Sequence, residues 1–282
     1  MTPNNIHSYI LCSKHEQGRE AHINTLKKQL GEIICVEAIF PKFEKVPFIN
    51  QLMALSKHRT GKALNQGEIG CLLGHRKIWR LIAKKSATPN QHFLVLESDS
   101  KIENINDFNS AFKDNLISNK GASYDLFFWG AWNGNTRIKK STASTILNKF
   151  TIGAPLIKSV YGTYGYSITP NGAKILLKQT AKISYPVDYF KHHLINADIH
   201  IGAIRPAMID TWKTTPSNIV VENNWLNIKK LRDHIEYLIY IRSAFYNIGE
   251  YYYIYSIDTY ILYLCNILNN MLNIYLRTNN IN

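Results

Sequence analysis

The chain is expected to fold as an α/β domain with a mixed central sheet flanked by helices, followed by a helical appendage. Three observations predict it. Short apolar runs alternate with segments whose apolar residues recur at helical spacing, the pattern of successive strand–helix units. One such run, Phe93 to Leu96, stops at two acids, Glu97 and Asp99. After Trp225 the composition shifts to Tyr, Ile and Asn.

Taken in order, residues 6–12 and 33–39 read as buried strands. A helix from about His15 to Leu30 joins them, with Ile23, Leu26 and Leu30 on one face. Residues 40–63 read as irregular, broken by Pro41, Pro47 and Gly61 and carrying a basic run from Lys57 to Arg59. A loop of that length inside a domain commonly serves as a lid or binding loop. Residues 66–85 form a helix whose stripe is Ile69, Leu72, Leu73, Ile78, Leu81 and Ile82. Strands follow at 92–97 and 124–130, separated by a helix near 106–117. Residues 132–158 turn polar and basic, with Arg137, Lys139 and Lys140, and are expected to form a mobile loop over the site. Residues 159–169 read as strand, and Pro170 suits the first turn of the next helix.

The domain boundary is placed at 224/225. In the 225–282 segment, Ile261, Leu264, Cys265, Leu268, Leu272 and Tyr275 mark one helical face, and a partner helix is expected at about 226–247. Such a segment packs on the core, pairs two chains as a homodimer, or lies on a membrane surface.

The 282 residues carry a formal charge of +13, with +12 of it before residue 225. A basic body favours anionic partners: nucleotide diphosphates, phosphorylated glycolipid or an anionic membrane face. Nucleic acid competes for such a surface, but no zinc spacing, aromatic RNA-binding signature or dense basic block accompanies the charge, so nucleic acid is not expected as a partner. Cys12, Cys35, Cys71 and Cys265 form no C-x-x-C pair, and Cys12 and Cys71 read as buried thiols. The first residues lack a basic and an apolar region of signal-peptide type, and no segment reads as a spanning helix. A cytoplasmic protein is expected, peripheral at most on the inner face of the membrane.

Glu97 and Asp99 are two residues apart, so in a strand they point to one face. Ligands of open α/β sheets bind beyond the carboxyl ends of the strands. Two carboxylates there suit Mn²⁺ or Mg²⁺ shared with a phosphate. The plainer reading is that they cap the next turn.

Upstream, Gly67, Glu68, Ile69, Gly70, Cys71, His75 and Trp79 stand in order on the 66–85 helix. Together with the acid pair they resemble the lipooligosaccharide glycosyltransferases of glycosyltransferase family 25. That family pairs a Gly-Glu-Ile-Gly-Cys…Ser-His…Trp helix with a strand ending in Glu-Asp-Asp. Here Gly74 replaces the serine and Ser98 the middle acid, which weakens the metal site or changes its ligands. Tyr9 to Leu11 with Arg19, Glu37 to Ile39, Tyr124 to Gly130, Gly165 to Leu177 and the Tyr185–Asp188 motif extend the likeness over roughly residues 6 to 206.

The resemblance implies the glycosyltransferase type A fold, a Rossmann-like arrangement. It also implies an inverting, metal-assisted transfer of a hexose from a UDP-sugar to a terminal sugar of lipooligosaccharide or lipopolysaccharide. Galactose is favoured, glucose second. Donor contacts would come from Leu11, Arg19, Ala38, Glu68, His75, Glu97, Ser98 and Asp99, with Glu97 and Asp99 on the metal. Asp188 is the candidate base, and an N-cap aspartate is its alternative. Asp125 is the second candidate. Trp129 or Trp132 is the acceptor platform, although Trp129 equally suits a core.

His75 and Glu68 share a helix face. Their plainer readings are a buried histidine bonded to a backbone carbonyl and a helix-start acid. Arg19 reads either as a phosphate ligand or as a surface arginine. His192 and His193 make a poor shared metal site, and His200 stays a candidate for a third ligand. Two rival functions stand beside this one: a non-catalytic sugar-nucleotide or glycan-binding module, and a basic nucleic-acid-binding protein.

Overall fold

The computed structural model describes residues 6–16, 18–86, 91–113, 124–131 and 136–211, all within one compact unit, Met1–Asn218. The expected boundary at 224/225, the C-terminal helices and Trp132 lie outside the described residues.

The unit opens with β1 (Ser8–Cys12), α1 (Glu20–Leu30) and β2 (Ile33–Glu37). The first helix is shorter than expected, because residues 13–16 form a turn in which the Ser13 amide donates to Glu16 Oε2 at 3.1 Å. The stretch expected to be irregular contains α2 (Ile49–Thr60). Its sequence hides it, since Leu52 and Met53 are only partly buried and Leu55 is exposed. Gly61, read as a breaker, is its left-handed C-cap at φ 77°.

Helix α3 (Gln66–Ala83) starts on a capping box, in which Asn65 and Glu68 each accept from the other's amide at 2.8 Å. Then come β3 (Phe93–Glu97), β4 (Ser100–Ile102), α4 (Ile105–Phe112) and β5 (Leu126–Gly130). The expected mobile loop is in part a hairpin of β6 (Ser144–Ile146) and β7 (Phe150–Gly153), turning through Leu147 and Asn148 at positive φ. The chain continues through β8 (Gly165–Ile168), α5 (Pro170–Gln179), α6 (Phe190–Leu194), β9 (Ile201–Arg205) and β10 (Ile209–Thr211). Thr169 caps α5 and Pro170 opens it, as expected.

Eight strands form a mixed sheet in the order β2-β1-β3-β8-β5-β9-β7-β6. β1 is parallel to β2 and β3, β8 runs antiparallel to β3 and β5, and β5 is parallel to β9. The carboxyl ends of β1, β2, β3 and β5 therefore share one edge with the start of β8. Alternation along the strands splits the core. Phe93, Val95, Phe128 and Tyr166 pack with α3, α5 and α6, while Leu94, Leu96, Phe127 and Trp129 pack with α1 and α4. The mixed sheet with helices on both faces is the expected fold class, of the glycosyltransferase type A kind.

Glycines set three close approaches at the carboxyl edge. A Cβ on Gly70 would overlap the Ile39 carbonyl oxygen, and one on Gly74 would stand 2.9 Å from Leu11 Cδ1. The glycine at 74 thus leaves room for Leu11. β4 and β10 form a separate antiparallel ribbon, which carries Ile209 over the paired glycines Gly130 and Gly165. A Cβ on Gly130 would overlap the Ile209 carbonyl oxygen. Gly130→Ala is therefore expected to cost at least about 2 kcal/mol, read as a lower urea midpoint at unchanged slope.

Candidate active site

Glu97 is the last residue of β3 and has the parity of Phe93 and Val95, so its carboxylate faces α3. His75, fully buried on α3, places Nε2 3.1 Å from Glu97 Oε1. Thr163, just before β8, donates its hydroxyl to the same oxygen. His75 Nδ1 lies 3.0 Å from Tyr166 Oη, which accepts from Trp79 Nε1 at 2.7 Å. Indole N–H only donates. Tyr166 is then free to donate to Nδ1, and a neutral His75 carries its proton on Nε2, toward Glu97. Burial, with the nearby Glu97 and Cys71 adding to it, pushes the Tyr166 phenol well up, which keeps it a donor. Burial alone would raise Glu97 too, but the His75 and Thr163 hydrogen bonds and the charge of Arg19 more than offset it, leaving the carboxyl below its usual range.

Strand alternation does not carry Asp99 to this point, contrary to expectation. The strand ends at Glu97, and Ser98 and Asp99 form the turn into β4. Ser100 holds that turn, accepting from the Glu97 amide at 2.8 Å and donating to the Tyr164 carbonyl. Ser98, at the place of the middle acid, accepts from Arg19 Nη1 and donates to Glu16 Oε1 at 2.9 Å. Arg19 is buried, 2.9 Å from Glu16 Oε1 and 3.7 Å from Asp99 Oδ2. The surface-arginine reading is thereby corrected. Asp99 Oδ1 is buried and has no hydrogen-bond partner among the described residues. Burial, then the charge of Glu97, raises Asp99 to about 6 against the pull of Arg19.

The other expected residues divide. Asp188 comes to the neighbourhood. Its backbone carbonyl accepts from Gly162 at 3.4 Å, and its charge follows burial and Glu97 in pushing the Cys71 thiol well up. The N-cap position of α6 is Tyr189, not Asp188. Leu11 pairs with Glu97 in register and Ala38 donates its amide to Cys12 O at 2.8 Å, so both border the edge, with their side chains buried. Glu68 is spent on the capping box. His75 bonds side chains, not a carbonyl.

Three candidates stand elsewhere. Asp125 precedes β5, at the opposite end of the sheet. There it accepts from Asn171 Nδ2 at 2.8 Å and the His200 amide at 3.0 Å. It tethers loops, and His200 sits there with it, away from the acids. Trp129 is fully buried, stacked on Phe112 and bonded to Ser167 Oγ at 3.0 Å, so it is core and not a sugar platform.

Glu16, Thr163 and Tyr166 are neighbours of the site that the sequence reading did not single out, and Cys71, read as a buried thiol, lies beside Glu97. Two had a visible signal: Cys71 stands four residues from His75 on one helix, and Glu16 three residues from Arg19.

The acids and the helix that supports them lie within a stretch that matches a known family. Residues 5–191 match the profile of glycosyltransferase family 25 (LPS biosynthesis protein). The chain belongs to glycosyltransferase family 25. It is also 31% identical over 137 residues to a "Glycosyltransferase 25 family member" of Drosophila melanogaster, a match that covers 46% of this chain and 20% of that protein.

Family 25 members are implied to use a divalent metal, and the donor set here fits one. Glu97 and Asp99 supply hard oxygens, and the orphaned Asp99 Oδ1 is the kind of buried acceptor that a cation satisfies. Without metal, the folded protein holds the Asp99 proton more tightly than the unfolded chain does. Ionisation therefore removes stability as pH rises from about 4 through about 6. Asp99→Asn is expected to stabilise the metal-free protein by roughly 1–2 kcal/mol near pH 8, after discounting for partial exposure, and by much less near pH 4. Unfolding in EDTA at both pH values checks it.

Proposed function

We propose that the chain is a UDP-sugar-dependent hexosyltransferase. It would move galactose first, glucose second, with inversion, to a terminal sugar of a lipooligosaccharide or lipopolysaccharide acceptor. The observation that carries the reading is the pairing of a fixed, charged Glu97 with an unsatisfied Asp99 at the carboxyl edge of the sheet. Family membership supports a sugar-nucleotide donor and a glycan acceptor.

Mn²⁺ or Mg²⁺, when bound by Glu97 and Asp99, supplies Lewis-acid neutralisation of the leaving diphosphate. The chain's own residues do the rest. His75 and Thr163 hold the Glu97 carboxylate in one orientation and keep it ionised. Arg19 offsets the acids from the far side and clamps Ser98, so the turn is preset before donor arrives. Asp188 is the base that takes the acceptor hydroxyl proton, a role typically worth about 10²–10⁴-fold. Glu97, Asp188 and Asp99 all act on the Cys71 thiol, which supports Asp188 as a neighbour of the acid pair.

Among the described residues no helix is long and apolar enough to cross a membrane. The reading places the enzyme at the cytoplasmic face, where a basic body meets anionic lipid and acceptor. Homodimerisation through the C-terminal segment belongs to the same proposal.

The test is UDP release from UDP-galactose, UDP-glucose and UDP-N-acetylglucosamine with Mn²⁺ or EDTA. Release is expected from UDP-galactose, lost in EDTA and reduced at least about 10²-fold in Asp99→Ala. Asp188→Asn is expected to lower kcat by about 10²–10⁴-fold with the donor KM little changed. Donor binding without turnover would favour a binding module instead, and release indifferent to EDTA would refute the metal.

A further inference from the structure

Cys71 and His75 are four residues apart on α3, so a thiol and an imidazole lie one above the other on a single face. The end of β3 brings Glu97 to the same point. Glu97 Oε1 is 4.0 Å from Cys71 Sγ and 3.1 Å from His75 Nε2, and the three ligand atoms all lie within 4.8 Å of one another. A tetrahedral ion with bonds of about 2.0–2.3 Å holds its ligands roughly 3.3–3.8 Å apart. The separations of this trio lie near that spacing.

Two further facts favour a ligand. Metal-bound histidines commonly give their other ring N–H to a fixed oxygen, and Tyr166 Oη stands 3.0 Å from Nδ1. Sulfur and imidazole select zinc-like ions over Mg²⁺ and Mn²⁺. The transferase reading leaves Cys71 without a task.

We propose that Cys71, His75 and Glu97 form a site for a borderline-soft divalent cation of the zinc class, with solvent as fourth ligand. It differs from the acid pair in its sulfur and nitrogen donors, and it excludes occupancy of that pair because both use Glu97. On binding, a sulfur–metal bond forms as the Cys71 S–H bond breaks, and the proton leaves to solvent. His75 moves its proton from Nε2 to Nδ1, and the Tyr166 hydroxyl, which donates to Nδ1 in the metal-free protein, turns its O–H away and accepts there. No electron is transferred.

Co²⁺ titration of the tag-free full chain under reducing conditions tests this without turnover, so its result stands apart from the sugar-transfer assay. Thiolate-to-cobalt charge transfer with tetrahedral d–d bands is expected, displaced by Zn²⁺. It should vanish in Cys71→Ala and equally in Cys71→Ser, which keeps size and a hydrogen-bonding atom. Affinity should fall at least about tenfold in His75→Ala. The bands should persist in Asp99→Ala and in the Cys12→Ala, Cys35→Ala double variant. No charge-transfer band in the unaltered chain, its survival in Cys71→Ser, or its loss only with Cys12 and Cys35 would each overturn the proposal.

Discussion

An unpartnered carboxylate at the end of a buried strand costs several kcal/mol or gives up its charge. Glu97 does neither, because α3 presents His75 to it and the segment leading into β8 presents Thr163. That pairing depends on how near α3 lies to the sheet. Gly70 and Gly74 allow the approach, one beneath Ile39 and Pro41, the other against Leu11. The helix start is fixed by the Asn65–Glu68 box, which sets the phase in which Cys71, His75 and Trp79 meet the sheet. Tyr166 then ties the helix to β8 through both His75 and Trp79. A motif that reads as a string of glycines and polar residues is therefore a device for delivering one imidazole to one carboxylate.

The fold was largely legible because its signals are local. Apolar runs at 8–12, 93–97 and 126–130 are strands buried on both faces, the run at 33–37 is the edge strand with Ile34 and Cys35 exposed, and the α3 stripe is periodic. α2 was missed because a helix that leaves Leu55 exposed and only half buries Leu52 and Met53 lacks a clean stripe. β4 and β10 were missed because strands of three residues carry little pattern, and β9 because Gly202 and Arg205 interrupt its apolar run.

At the site, the acids and His75 were visible as residue types, while their partners were not. Thr163 and Tyr166 reach Glu97 and His75 across long sequence gaps that no spacing rule spans, while Glu16 stands three residues from Arg19 in a turn whose pairing became visible only with the structure. Asp125 misled for a related reason. An acid beside a strand looks the same at either end, and only the sheet's polarity shows that it lies at the wrong one.

The substitution at position 98 reads differently once Arg19 is in view. A carboxylate there would stand among Glu16, Glu97 and Asp99 with a single guanidinium between them. Serine instead accepts from Arg19 and donates to Glu16, which lets the arginine keep part of its charge for Asp99. The loss of an acid is thus matched by neighbours that need a neutral donor–acceptor at that place.

The β4–β10 ribbon has a consequence for the order in which the molecule is made. Thr211 pairs with Ser100, the residue that closes the turn bearing Asp99. A chain emerging from the ribosome displays Glu97 and α3 long before residue 211 exists, and long-range pairings of this kind form late. Between the emergence of Thr163 and that of Thr211 the chain can hold one acid of the pair while the turn bearing the other lacks its closing strand. The last described strand completes the site, so a chain cut short before it would carry the family's motif residues on an unfinished active-site turn.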